Sequence, residues 1–186
     1  DGESVVERAI DRLLEVPGRA FVVAGGNEDV FRTHASGTIG QGQARTLHWR
    51  VGRPAAGLPP APPTAFDRSP NEMEIWFSSR DVMSVRVIDP AGNATPAISP
   101  GTGNIFTLGG NEVYVDSERF TRLNGDARIY IEMSQAASRL QTGTWQVELT
   151  GDEIRGGRFD AWIERDARDA ANAFADQSSF EGTDFD

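Results

Sequence analysis

Gly143-Thr144-Trp145-Gln146-Val147-Glu148-Leu149 alternates bulky apolar residues with polar ones. A period of two over such a stretch marks a β-strand with one buried face. Asp152 to Gly157 interrupts it as a turn, and Arg158 to Glu164 reads as a further strand. Trp145 and Trp162, spaced with Val147, Leu149 and Ile163, are expected in a hydrophobic core.

The same pattern recurs upstream. Ala44 to Val51 places Leu47 and Trp49 on one face. Gly52 to Pro70 is rich in Pro and Ala and reads as a long loop. Glu72 to Phe77 and Val82 to Ile88 are strands separated by Ser78-Ser79-Arg80-Asp81. The face on which Trp76 lies is not assignable, because Ile75 and Phe77 flank it. Asp89-Pro90-Ala91-Gly92-Asn93 is a turn; it lacks the alternating acidic ligands of a calcium loop. Asn104 to Leu108, Glu112 to Val115 and Ala127 to Met133 complete the series, with Gly109-Gly110-Asn111 as a turn. Eight to ten short strands between Ala35 and Glu164, with no helix among them, predict a mainly β fold built as an antiparallel sandwich or barrel.

The N-terminal stretch differs. Ser4 to Glu15 predicts a helix, since Val5, Val6, Ala9, Ile10, Leu13 and Leu14 form one apolar stripe. Ser4 and Glu7 have capping-box spacing, and Pro17-Gly18 ends the helix. Ala20 to Ala24 is a short apolar run of the kind found in strands covered on both faces. A helix feeding such a strand is half of a βαβ unit, and the strands beside it would lie outside this sequence. Left unpaired, the run is expected to repack, pair with a second copy or fray. It leads into Gly25-Gly26-Asn27-Glu28. An Asn past the carboxyl end of such a strand can aim its side-chain N–H at a developing oxyanion, although Gly-Asn is also an ordinary turn.

The chain has 186 residues, of which 38% are hydrophobic, enough for a real core. Its net charge is −10, which argues against nucleic acid and anionic membrane as partners. All 18 basic residues are Arg. There is no Cys, which rules out disulfides and thiolate metal sites. Two His residues 14 positions apart, His34 and His48, do not suggest a zinc site, and no metal or cofactor is expected. No apolar stretch reaches the roughly 20 residues of a membrane-spanning helix. Arg165 to Asp186 is polar and acidic, without helix or strand pattern; Phe174, Phe180 and Phe185 are placed to pin it to a surface.

Two segments carry a family likeness. Phe21-Val22-Val23-Ala24-Gly25-Gly26-Asn27-Glu28 resembles the V-V-x-A-[AG]-G-N-E block of subtilisin-like (S8 family) serine peptidases. The strand at Gly143 to Leu149, with Gly157 to Ile163 after it, resembles the closing strands of jelly-roll domains attached to subtilases. Some bacterial subtilases carry such a domain between the Gly-Asn-Glu block and the catalytic Ser segment. The resemblance implies that Asn27 is the oxyanion-hole donor. It divides the chain into residues 1–33 from the catalytic core, an inserted jelly-roll-like sandwich at 34–165, and a return linker at 166–186. The partners it implies are the rest of the catalytic domain and the peptide substrates of the parent enzyme, and it leans toward secretion.

The catalytic Asp, His and Ser of that family are not legible here. Gly37-Thr38, Gly101-Thr102, Gly143-Thr144 and Gly182-Thr183 are each followed by a residue other than Ser. His34 follows the Gly-Asn-Glu block instead of preceding it, and His48 sits mid-strand. The chain alone is therefore expected to lack proteolytic activity, since an oxyanion donor without a nucleophile forms no acyl-enzyme. A free-standing binding module, for carbohydrate for example, is the alternative; it requires exposed Trp faces in one groove.

Overall fold

The computed structural model describes residues 5–23, 32–52, 70–122, 124–135, 140–164 and 178–181. One helix, α1 (Val5–Leu14), precedes ten strands: β1 (His34–Thr38), β2 (Ala44–Val51), β3 (Asn71–Phe77), β4 (Val82–Ile88), β5 (Thr102–Leu108), β6 (Asn111–Glu118), β7 (Ala127–Gln135), β8 (Gly143–Glu153), β9 (Arg158–Ile163) and β10 (Ser179–Glu181). They form a six-stranded sheet, β1-β9-β3-β7-β6-β5, and a four-stranded sheet, β10-β2-β8-β4. All pairings are antiparallel. Among these strands the chain changes sheet at every connection except β5–β6 and β6–β7. The result is an antiparallel β-sandwich, as the alternation predicted.

The core lies between the two inner faces. The four-stranded sheet contributes Leu47, Trp49 and Val51, then Trp145, Val147 and Leu149, with Met83, Val85 and Val87 beside them. The six-stranded sheet answers with Met73, Ile75, Phe77, Ile129, Ile131, Met133, Val113, Val115 and Phe159. Full burial of each such aliphatic or Phe side chain is worth ~1.5–3 kcal/mol. Trp49 and Trp145 oppose each other in register and are both fully buried. A polar thread crosses this interior. Trp145 Nε1 donates to the Gln141 carbonyl at 3.0 Å, and the Gln141 N–H donates to Oδ1 of buried Asn111 at 2.9 Å. Asn111 Nδ2 donates in turn to the Leu108 carbonyl at 3.1 Å, fixing the β5–β6 turn.

Several expectations need correction. Residues 20–23 form no strand, and Val22 is 92% exposed. Among the described residues no strand lies beside them, so their backbone groups have no ladder to join. Trp162 is not core: β9 turns Phe159, Ala161 and Ile163 inward, and the pleat then places Trp162 outside, 44% exposed. The segment after Arg165 does contain a strand, β10, which pairs with β2 and buries Phe180. β1 carries little strand signature in its sequence, because His-Ala-Ser-Gly-Thr has little apolar alternation.

Candidate functional site

Asn27, with Gly25, Gly26 and Glu28, lies outside the described residues. The segment leading toward it does not. α1 ends where Glu15 N–H bonds the Asp11 carbonyl and Gly18 takes a positive φ of 85°. No residue of this helix is buried. Along it and the segment beyond, Val5, Val6, Leu13, Leu14, Val16, Phe21, Val22 and Val23 are exposed apolar side chains.

The outer face of the six-stranded sheet is the other chemically dense surface. Arg128 on β7 holds its centre. Its Nη1 lies 3.1 Å from Glu74 Oε1 and its Nη2 3.3 Å from Glu118 Oε2. Its guanidinium sits 5.9 Å from the Trp76 ring centre and 5.8 Å from that of Tyr130. Trp76 Nε1 donates to Glu74 Oε2 at 2.9 Å, which assigns Trp76 to this outer face. Burial, then the hydrogen bonds and charges of Glu72 and Glu132, push the Tyr130 hydroxyl well above its ordinary pKa. At the β1 edge His34 stacks on Trp162 at 4.8 Å, and its Nε2 lies 3.3 Å from Asp160 Oδ1. Among the described residues no hydroxyl is hydrogen-bonded to His34, so this His–Asp pair lacks the nucleophile of a triad. His48 lies on β2, opposite Gln146 and Glu181.

A shallow cavity of about 320 Å³ opens where Trp76, Phe77 and Asp160 meet the β3–β4 and β8–β9 turns. Asp81 lies in its wall and is almost fully buried. Its carboxylate accepts N–H bonds from Arg155 at 2.6 Å, Gly156 at 3.0 Å and Gly157 at 2.7 Å. Burial by itself raises such a carboxyl; the three N–H donors and the Arg155 charge outweigh it and hold Asp81 below its ordinary pKa. This makes Asp81 a clamp between two turns, occupied by the protein's own backbone. The sequence showed it only as one of four polar residues between two strands. Asp89 is likewise used internally: it accepts from Ala91 N–H, Asn93 N–H and Asn93 Nδ2, which makes 89–93 the expected turn. Among the described residues, no group of three or more His, Asp or Glu side chains is placed to hold a metal ion. No described helix is long and apolar enough to cross a membrane.

The outward position of Trp162 can be checked by stability. Trp162→Ala is expected to change unfolding free energy by under ~1 kcal/mol, since it removes an exposed stack and creates no cavity. Urea melts of the variant read this directly.

The fold thus defines an antiparallel β-sandwich with a solvent-exposed helix at its N-terminal side. No protein-family model matches the sequence, and no curated protein matches it. Among solved structures the chain is similar to the CspB protease of Clostridium perfringens, with a TM-score of 0.69 and 20% sequence identity. The match covers 87% of this chain and 32% of that one, so this chain spans about a third of the protease's length. At that identity the likeness establishes the fold.

Proposed function

We propose that this chain is the sandwich-bearing part of a subtilisin-like serine endopeptidase. Residues 1–33 would belong to the catalytic core, 34–165 to a jelly-roll-like insert, and 166–186 to the return linker. The observation that carries the reading is the structural likeness to a protease over 87% of the chain. The Phe21-to-Glu28 block supports it independently. So do the exposed apolar side chains between Val5 and Val23, which suit docking against the rest of a catalytic domain.

In this reading the parent enzyme cleaves peptide bonds by acyl transfer. Its Ser nucleophile and His base come from outside these 186 residues. Asn27 donates a side-chain N–H to the oxyanion of the tetrahedral intermediate. The sandwich packs on the catalytic domain or shapes access to its cleft, and the isolated chain hydrolyses nothing.

The test is expression of the whole coding sequence with a fluorogenic peptide assay. Asn27→Ala should lower turnover while leaving KM nearly unchanged, the pattern of an interaction made only in the transition state. Loss of one oxyanion donor costs about 10²–10³ in turnover, a figure established on subtilisin itself. A coding sequence with no His-Gly-Thr segment before residue 1 and no Gly-Thr-Ser segment after residue 186 would overturn the proposal. The exposed Trp162 favours one rival, a carbohydrate-binding module. Glycan binding that Trp162→Ala abolishes would support that rival instead.

A further inference from the structure

The strand β5 closes one side of the six-stranded sheet, and its outer edge has no neighbour among the described residues. Sheet edges are normally blunted by charge, Pro, shortness or a covering segment. The edges of the four-stranded sheet follow that habit, since bridges from Ile98 and Ala94 cover β4 and β10 has three residues; at the far side of the six-stranded sheet, β1 has five residues. By contrast β5 is seven residues long, Thr-Gly-Asn-Ile-Phe-Thr-Leu, with no charge and no Pro. Ile105, at its middle, is 58% exposed.

The backbone groups that face outward can be assigned. Gly109 and Gly110, with φ of 55° and 84°, make the two-residue turn that joins β5 to β6, and Leu108 pairs with Asn111. In such a hairpin the flanking pair is hydrogen-bonded, so residues 108, 106, 104 and 102 bond β6. The N–H and C=O of Gly103, Ile105 and Thr107 then point away from the sheet. Consistent with this, the Ile105 N–H bonds no residue of β6; it donates to the Asn104 side-chain oxygen at 3.0 Å.

We infer that β5 is a docking edge for an extended peptide segment carrying Arg or Lys at alternate positions. The charge of the neighbouring strand selects this occupant. On the outer face, Gly103 pairs with Asp116, Ile105 with Tyr114, and Thr107 with Glu112. A Cβ placed on Gly103 would come within 2.9 Å of Asp116 Oδ1, so this carboxylate leans over the glycine toward the edge. Asp116 has no hydrogen-bond or ion-pair partner among the described residues. Gly103 therefore leaves open the space through which a long basic side chain on an added strand reaches Asp116. A second copy is the wrong occupant: it would bring another acidic outer face and a second net charge of −10 to the same edge. Main-chain bonds supply affinity and the Asp116 contact supplies selectivity, as in other strand additions. The inference stands on the sandwich alone and is independent of any peptidase parent.

The test is titration of the 186-residue chain with two heptapeptides, one alternating Thr with Arg and one alternating Thr with Glu. Affinity is read by calorimetry, and the site by amide chemical shifts. The Arg peptide should bind and shift Gly103, Ile105 and Thr107; the Glu peptide should not. Ile105→Pro removes an outward N–H, with its bond to the Asn104 side chain, at an edge position that tolerates Pro, and should weaken binding by at least about tenfold. Asp116→Asn should weaken it about two- to fivefold. Asn104→Ala, which uncovers the Ile105 N–H, should tighten it. Equal binding of both peptides, shifts confined to other strands, or a dimer in sedimentation that Ile105→Pro dissolves would each overturn the inference.

Discussion

Asp81→Ala is expected to destabilise the sandwich by about 3 kcal/mol, which for a chain of this length lowers the melting temperature by about 6–12 °C. Three backbone N–H groups lose their acceptor at once. Arg155 and Gly156 are partly reachable by water, but the Gly157 N–H is buried and would be stranded. The damage is also topological. Asp81 closes the β3–β4 turn, where its own N–H bonds the Ser78 carbonyl, and its carboxylate holds the turn between β8 and β9. These turns connect strands of opposite sheets, so the contact fixes how the sheets meet at that end. Asp81→Asn should recover part of the loss, since one oxygen can still accept.

The same residue sets a pH signature. Its folded pKa lies below the unfolded value of about 3.9, so its contribution is fully present above that value. As pH falls through the lower folded value the carboxylate protonates and the contribution disappears. The stability gap between the parent chain and Asp81→Asn should therefore be constant above about pH 5 and shrink below about pH 4. Thermal melts in a pH series measure it; a gap unchanged down to pH 2 would refute the assignment.

The contrast between Asp81 and Asn27 shows what a sequence of this kind discloses. The β-fold was legible because burial imposes a period of two, and Ala44–Val51 and Val82–Ile88 were bounded correctly from that period alone. Trp162 shares a strand with Ile163 but not its face: adjacent residues alternate, so with Ile163 inside, Trp162 has to be outside. The unformed strand at 20–23 failed for a different reason. Its composition suits burial on both faces, but composition cannot supply partner strands, and the described residues contain none. Asp81 gives no signal of its role, since a turn carboxylate looks the same in sequence whether it faces water or clamps another loop. Asn27 was legible only by family likeness, and the role of the Arg128 cluster only once register placed Glu74, Trp76, Tyr130 and Glu118 around it.

The second large effect is in the core. Trp145→Ala is expected to cost about 3–5 kcal/mol, the range for emptying a fully buried indole site. Two losses combine. The cavity opens against Trp49, which faces Trp145 across β2 and β8 and has no solvent contact into which it could relax. The Gln141 carbonyl also loses its indole donor, which slackens the thread running through Asn111 to the β5–β6 turn. The paired indole distinguishes these contributions. Trp49 Nε1 is buried with no acceptor among the described residues, so Trp49→Phe removes volume but also an unsatisfied donor. Trp145→Phe removes the same volume and a made hydrogen bond. Trp145→Phe should therefore be the more destabilising of the two by about 1–2 kcal/mol, measured by urea unfolding with unchanged m-values. If the two Phe variants proved equal, the hydrogen-bonded thread would carry no stability, and packing alone would set the cost at both positions.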